Sequence, residues 1–273
     1  MSAPLTVFVR AAALVGPGLT DWAAAQPVLT GAQAWVHAPT ALGAPQRLPP
    51  AERRRAGAAV KVALVPAEQV SSQSGMDPAT LASVYTSSNG DGANCHALCE
   101  ALALPQRLVS PTRFTNSVHN APAGYWHIAV SGREASTSLC AHDGSFVAGL
   151  VEAIGLVRAR RQPILLVASD SPYPEPLQAC RPMADVVGVA LILSPEPGAG
   201  DLAGLAVDLL PGDAVVETPC HDAGLEALRT QVPAARALPL LEAIARGEPA
   251  EVCLAWPAGP ALRIRVDACR VGE

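Results

Sequence analysis

Aromatic residues are scarce in this chain, at 4% of its 273 residues, and no apolar run is long enough to cross a bilayer. Runs such as residues 186–193 stop well short of the roughly 20 residues that a membrane-spanning helix needs. Lys and Arg number 19 against 24 Asp and Glu, and Arg53–Arg55 is the only run of three consecutive basic residues. Because nucleic-acid binding needs a concentrated positive surface, we expect neither a membrane span nor a nucleic-acid partner.

A disulfide framework and a secretion signal are also missing. The seven cysteines are odd in number and share no short repeated spacing, which is typical of a protein from a reducing compartment. The first residues, MSAPLTVFVRAAALVGPG, lack a basic leader and carry Arg10 inside their apolar stretch, so they make a poor signal peptide. We therefore predict a cytoplasmic location.

Strands and helices alternate along the sequence, which predicts an α/β protein. Continuous apolar runs at 164–169 and 186–194 are typical of strands buried on both faces of a sheet. Apolar residues from Phe146 to Val157 recur at helical intervals, which predicts a helix. Further strands are expected at 5–14, 81–87 and 205–210, with a hairpin at 252–255 and 262–266, and further helices at 51–70, 93–104 and 235–246. The residues between the first strand and about Pro50 are expected to form a loop, and Pro66 is expected to end or kink its helix.

Cys140 is the first candidate for chemistry, because it stands just ahead of the helix that begins near Phe146. The positive end of a helix dipole favours thiolate over thiol and makes the sulfur a better nucleophile. His142 follows two residues later, and on an extended segment the two side chains would share a face. His119 is the other candidate base. The alternative is that Cys140 is a small buried apolar residue, which is the commoner fate of a free cysteine.

No metal site and no cofactor site are expected. Cys95-His96-x-x-Cys99 offers ligands at helical spacing, but a tetrahedral zinc site needs a fourth group. The run Asn89-Gly90-Asp91-Gly92 resembles part of a phosphate or calcium loop, yet it lacks the Lys-Ser/Thr of a P-loop and the terminal Glu of an EF-hand. A turn is expected there.

Several motifs, taken in order, resemble the N-terminal half of a β-ketoacyl synthase of the thiolase-like superfamily. The matching segments are Tyr85–Gly92 for the strand and Gly-rich turn, Val118–Tyr125 for the Pro-Asn-x-x-Ala-Gly-His segment, Ser136–Ala141 for the Ser-Thr-Ala-Cys-Ala nucleophile loop, Gly149–Arg158 for the helix after it, and Val167–Asp170 and Asp185–Leu193 for the next two strands. The resemblance covers Leu5 to about Pro195. More narrowly, the string from Ser110 to Trp126 resembles the short ketosynthase-like proteins of bacterial aryl-polyene and related pigment pathways.

The resemblance implies four binding residues, namely Asn120, Gly124, His119 and Phe146. Asn120 and Gly124 match the Pro-Asn-x-x-Ala-Gly-His segment, in which Tyr125 replaces the histidine. Two residues compete for the position of the family's nucleophile. Counted without gaps from Glu152-Ala153, it falls on Asp143, whose carboxylate cannot form a thioester, and Cys140 takes it only if three residues are inserted.

A full synthase also carries a His-Gly-Thr-Gly-Thr segment and an Asn-x-x-x-Gly-His segment, whose histidines support decarboxylation and condensation. This sequence contains neither segment, and His221 fits neither. Removing groups that stabilise an enolate or oxyanion lowers the rate by about a hundred- to a thousandfold each. Independent condensation is therefore not expected.

The implied fold is half of a thiolase-like fold at residues 1–198, a mixed sheet with helices on both faces, with a small C-terminal α/β appendage at 199–273 packing on it. The implied function is that of a ketosynthase-like accessory protein, similar to a chain-length factor, in fatty-acid or polyketide-type biosynthesis. Its expected partners are an acyl carrier protein, a complete ketosynthase subunit or a second copy in a homodimer. Two alternatives stay open: a Cys140-dependent acyltransferase or thioesterase, and a non-catalytic structural remnant.

Overall fold

The computed structural model describes residues 4–211, 215–256 and 259–268. Its eight strands are β1 Leu5–Val15, β2 Ala82–Thr86, β3 Ser136–Leu139, β4 Ile164–Asp170, β5 Val187–Ser194, β6 Ala203–Leu210, β7 Ala250–Ala255 and β8 Ala261–Ala268. They form one mixed sheet in the order β3-β2-β4-β5-β1-β6-β8-β7. Strands β3 and β4 run parallel to β2, and the other neighbouring pairs are antiparallel.

Helices cover both faces of this sheet. They are α1 Trp22–Leu29, α2 Pro50–Arg55, α3 Ala58–Ser74, α4 Gly92–Ala103, α5 Pro111–Asn116, α6 Ala121–Val130, α7 Ser145–Arg160, α8 Leu177–Cys180, α9 Ala223–Gln231 and α10 Leu238–Arg246. One core lies under α3 and α6, and the other lies under α1, α7, α9 and α10. The predicted mixed sheet with helices on both faces is confirmed. Within the described ranges, no helix is both long enough and apolar enough to cross a bilayer.

The central strands explain the continuous apolar runs of the sequence. Every residue of β4 and β5 is buried, and successive side chains point to the two different cores, so that Leu165 faces α3 while Leu166 faces α7. Because both faces are covered, neither strand alternates between polar and apolar residues. The strands predicted at 164–169 and 186–194 are confirmed.

The C-terminal residues extend the same sheet. β6 pairs with β1, and β8 and β7 follow it. On β8, Leu262, Ile264 and Val266 face the helices, whereas Arg263 and Arg265 lie on the outer face, 3.2 and 3.8 Å from the Asp208 carboxylate. Both parts of the chain contribute strands to this one sheet, and the division of the chain after residue 198 stays a prediction.

Two predicted boundaries are wrong for local reasons. The expected loop before Pro50 contains α1, which the Asp21 side chain caps by accepting a hydrogen bond from Ala24 N at 2.8 Å. The helix expected at 51–70 is two helices, α2 and α3, with Gly57 at the N-cap of the second. Helices α5, α6, α8 and α9 and strand β3 were not anticipated from the sequence.

Pro66 lies inside α3 without ending it, because the strand beneath leaves room. Proline cannot donate to the carbonyl one turn back, which here is that of Val62. This carbonyl faces Gly188 of β5 so closely that a Cβ at Gly188 would lie 2.3 Å from Val62 O. A glycine at this register therefore lets the helix pack on the sheet at the residue where its own hydrogen bonding is interrupted.

We expect Gly188→Ala to lower the free energy of unfolding by about 1–3 kcal/mol, because the added methyl group forces α3 away from β5. Gly155→Ala is the matched control. Gly155 lies in α7 with nothing within 4 Å of an added Cβ, so alanine there should stabilise by roughly 0.5–1 kcal/mol. Urea denaturation of the three proteins measures both effects, and equal stabilities for the two variants would contradict the proposed close approach.

Candidate functional site

Three loops meet at the carboxyl ends of the parallel strands. Because β2, β3 and β4 are parallel, their carboxyl ends lie together, which is the usual position of a ligand site in such sheets. The loop after β2 spans 87–91, the loop after β3 spans 140–144, and the loop after β4 spans 171–186. Cys140, His142 and Asp143 all belong to the second loop.

Asp170, the last residue of β4, joins these loops to the C-terminal part of the chain. Its side chain is buried, at 2% exposure. Oδ1 accepts hydrogen bonds from Ser88 N at 2.7 Å, Ser88 Oγ at 2.8 Å and Ser87 Oγ at 3.1 Å. Oδ2 accepts one from Ala234 N at 2.8 Å. Burial raises the pKa of Asp170 to about 6, although these hydrogen bonds, those from Ser88 foremost, act to lower it.

The Cys140 thiol and the His119 ring hold the same loop from other sides. Cys140 is exposed, and its Sγ donates to Ser88 O at 3.4 Å. The Nε2 atom of His119 lies 3.2 Å from Ser87 O, a distance at which the tautomer protonated on Nε2 donates to this carbonyl. Across the described part of the chain, no histidine nitrogen hydrogen-bonds the Cys140 thiol. Both side chains therefore have structural partners.

The turn between β3 and α7 is tight and is not an extended segment. Residues His142–Gly144 form one turn of 3-10 helix, and His142 has a φ of 51°. Ser145 Oγ closes the turn by accepting from Ala141 N at 3.0 Å and donating to His142 O at 2.7 Å. The expectation that Cys140 and His142 share a face of an extended segment is therefore not met. His142 is also largely exposed, 3.6 Å from the Asp143 carboxylate.

Asp143 is neutralised by an arginine from the loop after β4. Arg181 Nη2 donates to Asp143 Oδ1, and the Arg181 guanidinium lies 5.9 Å from the ring centroid of Tyr173. Burial raises the pKa of Tyr173, while the charge of Arg181 acts to lower it. The ion pair places the third loop against the turn that precedes α7.

The four predicted binding residues lie in different places. His119 lines a cleft together with Val60 and Asp170. Asn120 and Gly124 line a second, more polar cleft between α6 and β3, whose other walls include His127, Ser136 and Ser138. Phe146 is fully buried in the core beneath α7. Neither Cys140 nor Asp143 lines either cleft.

A third cleft carries positive charge and adjoins the first. It is lined by Arg54, Arg55 and Arg113, and it shares Asp91 and Asn116 with the cleft of His119. The N-terminus of α3 also opens here, with Gly57 as an N-cap that supplies no side-chain acceptor. The Asp91 carboxylate lies close to Gly57 at this helix end, and the guanidinium groups of the cleft favour a bound anion.

Sequence reasoning did not single out Asp170, Arg181 or Tyr173 as site residues. A polar residue directly after a buried strand was an available signal for Asp170. Arg181 lies 38 residues from Asp143 in a loop, so no local pattern could pair them. Within the described ranges, no group of three or more His, Cys, Asp or Glu side chains could hold a metal ion.

Residues 22–213 match the family model described as the N-terminal domain of β-ketoacyl synthase. Among solved structures, a chain of the ketosynthase ApeO in complex with its chain length factor ApeC from Xenorhabdus doucetiae is 22% identical over 96% of this chain and 99% of its own, with a TM-score of 0.71. A chain of the AntDE:AntF structure, a type II PKS acyl-carrier protein in complex with its ketosynthase bound to the hexaketide, is 12% identical over 96% and 99%, with a TM-score of 0.73. A β-ketoacyl synthase from Burkholderia phymatum STM815 is 11% identical over 98% and 100%, with a TM-score of 0.68. No curated protein matches this sequence significantly.

These likenesses confirm the predicted thiolase-like fold. The match spans the sheet and also the C-terminal strands, because it extends over nearly the whole chain. The family model itself covers the three loops of the site, from Ser87 to Val186.

We expect Asp170→Ala to lower the free energy of unfolding by about 2–4 kcal/mol at pH 7, because Ser88 N and Ala234 N each lose their acceptor in a buried place. The effect should depend on pH. The folded-state pKa of about 6 lies above 3.8, the ordinary value for this carboxyl group. The part of the stability that depends on protonation of Asp170 is therefore fully present below about pH 4 and is lost as the pH rises through 6, where only the hydrogen-bond contribution is left.

Urea denaturation of the wild type and of Asp170→Ala between pH 4 and 8 tests this pH dependence. Asp267→Ala, at an exposed position of β8, is the control for loss of a carboxylate. A difference between wild type and Asp170→Ala that does not change with pH would contradict the raised pKa.

Proposed function

This chain belongs to the β-ketoacyl synthase family, whose N-terminal domain it matches over residues 22–213, and we propose that it is an accessory subunit of a ketosynthase. In this role it resembles a chain-length factor and shapes or gates an acyl chain without condensing it. The pathway is of the fatty-acid or polyketide type, and the Ser110–Trp126 string favours aryl-polyene biosynthesis.

One observation carries this proposal: the groups that could perform acyl chemistry are already bonded to the scaffold. An activated cysteine needs a base within hydrogen-bonding reach. Here the Cys140 thiol donates to Ser88 O, and His119 lies against Ser87 O. Asp143, at the position where gapless counting puts the nucleophile, is bound to Arg181. The sequence also contains neither histidine segment of a full synthase.

A partner subunit is proposed at the free edge of the sheet. Among the residues that the structure describes, β3 is the edge strand and pairs only with β2. Apolar side chains are exposed in the segment that precedes β3 in the chain, with Phe114 at 64%, Val118 at 49% and Ile128 at 48%, and helix α6, which carries Ile128, lines a cleft together with β3. An open edge next to exposed apolar residues is a surface that natural proteins cover. We assign it to a complete ketosynthase subunit.

The positive cleft supports an acyl carrier protein as the second partner. Such a protein presents its acyl chain on an arm that includes a phosphate group, and guanidinium groups recognise phosphate with charge-assisted hydrogen bonds. Arg54 and Arg113 line this cleft. The adjoining cleft has Val60 and Val62 in its wall, together with polar residues such as His119 and Asp170.

The alternative of a Cys140-dependent acyltransferase or thioesterase is favoured by two observations. The Cys140 side chain is exposed, and it precedes the N-terminal end of α7, where a helix dipole favours a thiolate. The remaining alternative, a structural remnant without an acyl ligand, requires that no carrier protein binds.

A cytoplasmic location is also part of the proposal. The six cysteines in the described residues are all free, which is the state expected in a reducing compartment.

Incubation with acyl-carrier-protein thioesters should leave the mass of the intact protein unchanged, because Cys140 has no base. An acyl adduct on the wild type that is absent from Cys140→Ala would establish the acyltransferase alternative instead. Cys180→Ala is the control, because Cys180 is also exposed but lies in α8.

Co-expression with an aryl-polyene ketosynthase and its carrier protein should yield a complex by sedimentation. We expect Ile128→Asp to weaken it at least about tenfold, because a charge placed at the desolvated centre of an interface costs more than about 1.4 kcal/mol, which is tenfold in affinity. Leu177→Asp, which charges a similarly exposed residue elsewhere, should have no effect. A protein that sediments as a monomer and binds neither partner would refute the accessory role, and a homodimer disrupted by Ile128→Asp would assign the edge to a second copy.

A further inference from the structure

Helix α4 carries two cysteines that no part of the proposed function uses. Cys95 and Cys99 are one helical turn apart, and both are exposed. Asn94 and Leu98 are buried on the other side of this helix. Asn94 Nδ2 also donates a hydrogen bond to Arg113 O at 2.6 Å. The contacts of Asn94 and Leu98 therefore fix the orientation of α4, and both thiols lie at the solvent-exposed surface.

The two thiols are neighbours in space because of this spacing. Residues four apart on a helix have Cβ atoms about 5–6 Å from each other. The pKa of Cys95 is raised by burial and by its contact with Cys99, which agrees with adjacent sulfur atoms. Among the seven cysteines, these are the only two within ten residues of each other.

A disulfide does not fit this geometry. Its Cβ atoms must be about 3.5–4.5 Å apart, which is closer than an intact helical turn allows. A single atom that bridges the two sulfurs fits better, because a chelated ion adds two metal–sulfur bonds to the span and leaves the helix undisturbed.

The number of available ligands selects the kind of ion. Structural zinc takes four ligands, and in the described residues no cluster of three His, Cys, Asp or Glu side chains is present. His96 is directed to another partner, since its Nε2 lies 3.4 Å from Glu100 Oε1. Thiolates are soft ligands that favour Cu(I), and a closed-shell monovalent ion is satisfied by two of them.

We propose that Cys95 and Cys99 form a two-thiolate binding site for a soft monovalent ion of the Cu(I) class. Binding forms two metal–sulfur bonds and breaks two S–H bonds, and both protons pass to solvent. The ion enters and leaves as Cu(I), so no electron is transferred. The site lies on the outer side of α4 and does not depend on the proposed accessory role.

Titration of the reduced full-length protein with Cu(I) under oxygen-free conditions, in competition with the chelator bicinchoninate, tests the site. We expect one tightly bound equivalent. Cys95→Ala and Cys99→Ala should each weaken binding by at least about a hundredfold, because loss of one arm removes the effective concentration that a chelate provides. Circular dichroism should show an unchanged helix content, since alanine favours helix.

Two controls separate this site from unspecific binding by thiols. Cys180→Ala removes an exposed but isolated cysteine and should leave the affinity unchanged. His96→Ala should do the same, because His96 is not a ligand. The proposal is overturned if the wild type does not compete with bicinchoninate, if Cys180→Ala weakens binding as much as Cys95→Ala, or if His96→Ala does so.

Discussion

The buried carboxylate of Asp170 is the constraint on which the arrangement of the site depends. A charge in the interior is tolerated only when donors surround it, and these donors come from two distant parts of the chain. Ser87 and Ser88 supply three of them, and Ala234 supplies the fourth. The Asp170 carboxylate therefore links the loop after β2 to residues 233–237. Through Ala234, the C-terminal residues contact the carboxylate that holds this loop.

The same loop explains why the residues with catalytic potential are bonded elsewhere. Its backbone carbonyls at Ser87 and Ser88 need donors, and His119 and Cys140 provide them. Each of these side chains is a frequent catalytic group in other proteins, and here each has a structural partner. The Asp143–Arg181 pair acts in the same way on the loop after β4. A chain can thus keep the order of ketosynthase motifs while the individual groups hold loops around a cleft.

Most of the large exposed apolar side chains do not lie on the sheet face that a half-domain without a covering second half would expose. Helices α9 and α10 and residues 233–237 cover one face of the sheet. On the outer face of β6 and β8, ion pairs such as Arg263 with Asp208 replace apolar contacts. Among the described residues, six of the large exposed apolar side chains instead lie between Leu102 and Ile128, in helices α4 to α6 and the segments that join them.

The sequence by itself determined the fold class, the central strands and the long helix α7, because a side chain that must be buried leaves a periodic apolar pattern. It also determined the family, through the order of motifs from Tyr85 to Leu193. It did not determine α1, the break at Gly57 or the passage of α3 through Pro66, since the last depends on the space at Gly188 in a strand more than 120 residues away. Nor did it determine which polar groups meet. The hydrogen-bond partners named above for Asp170, Cys140 and Asp143 lie between 38 and 83 residues from them, and only the tertiary structure decides such pairs, because a hydrogen bond between distant residues leaves no periodic trace in the chain.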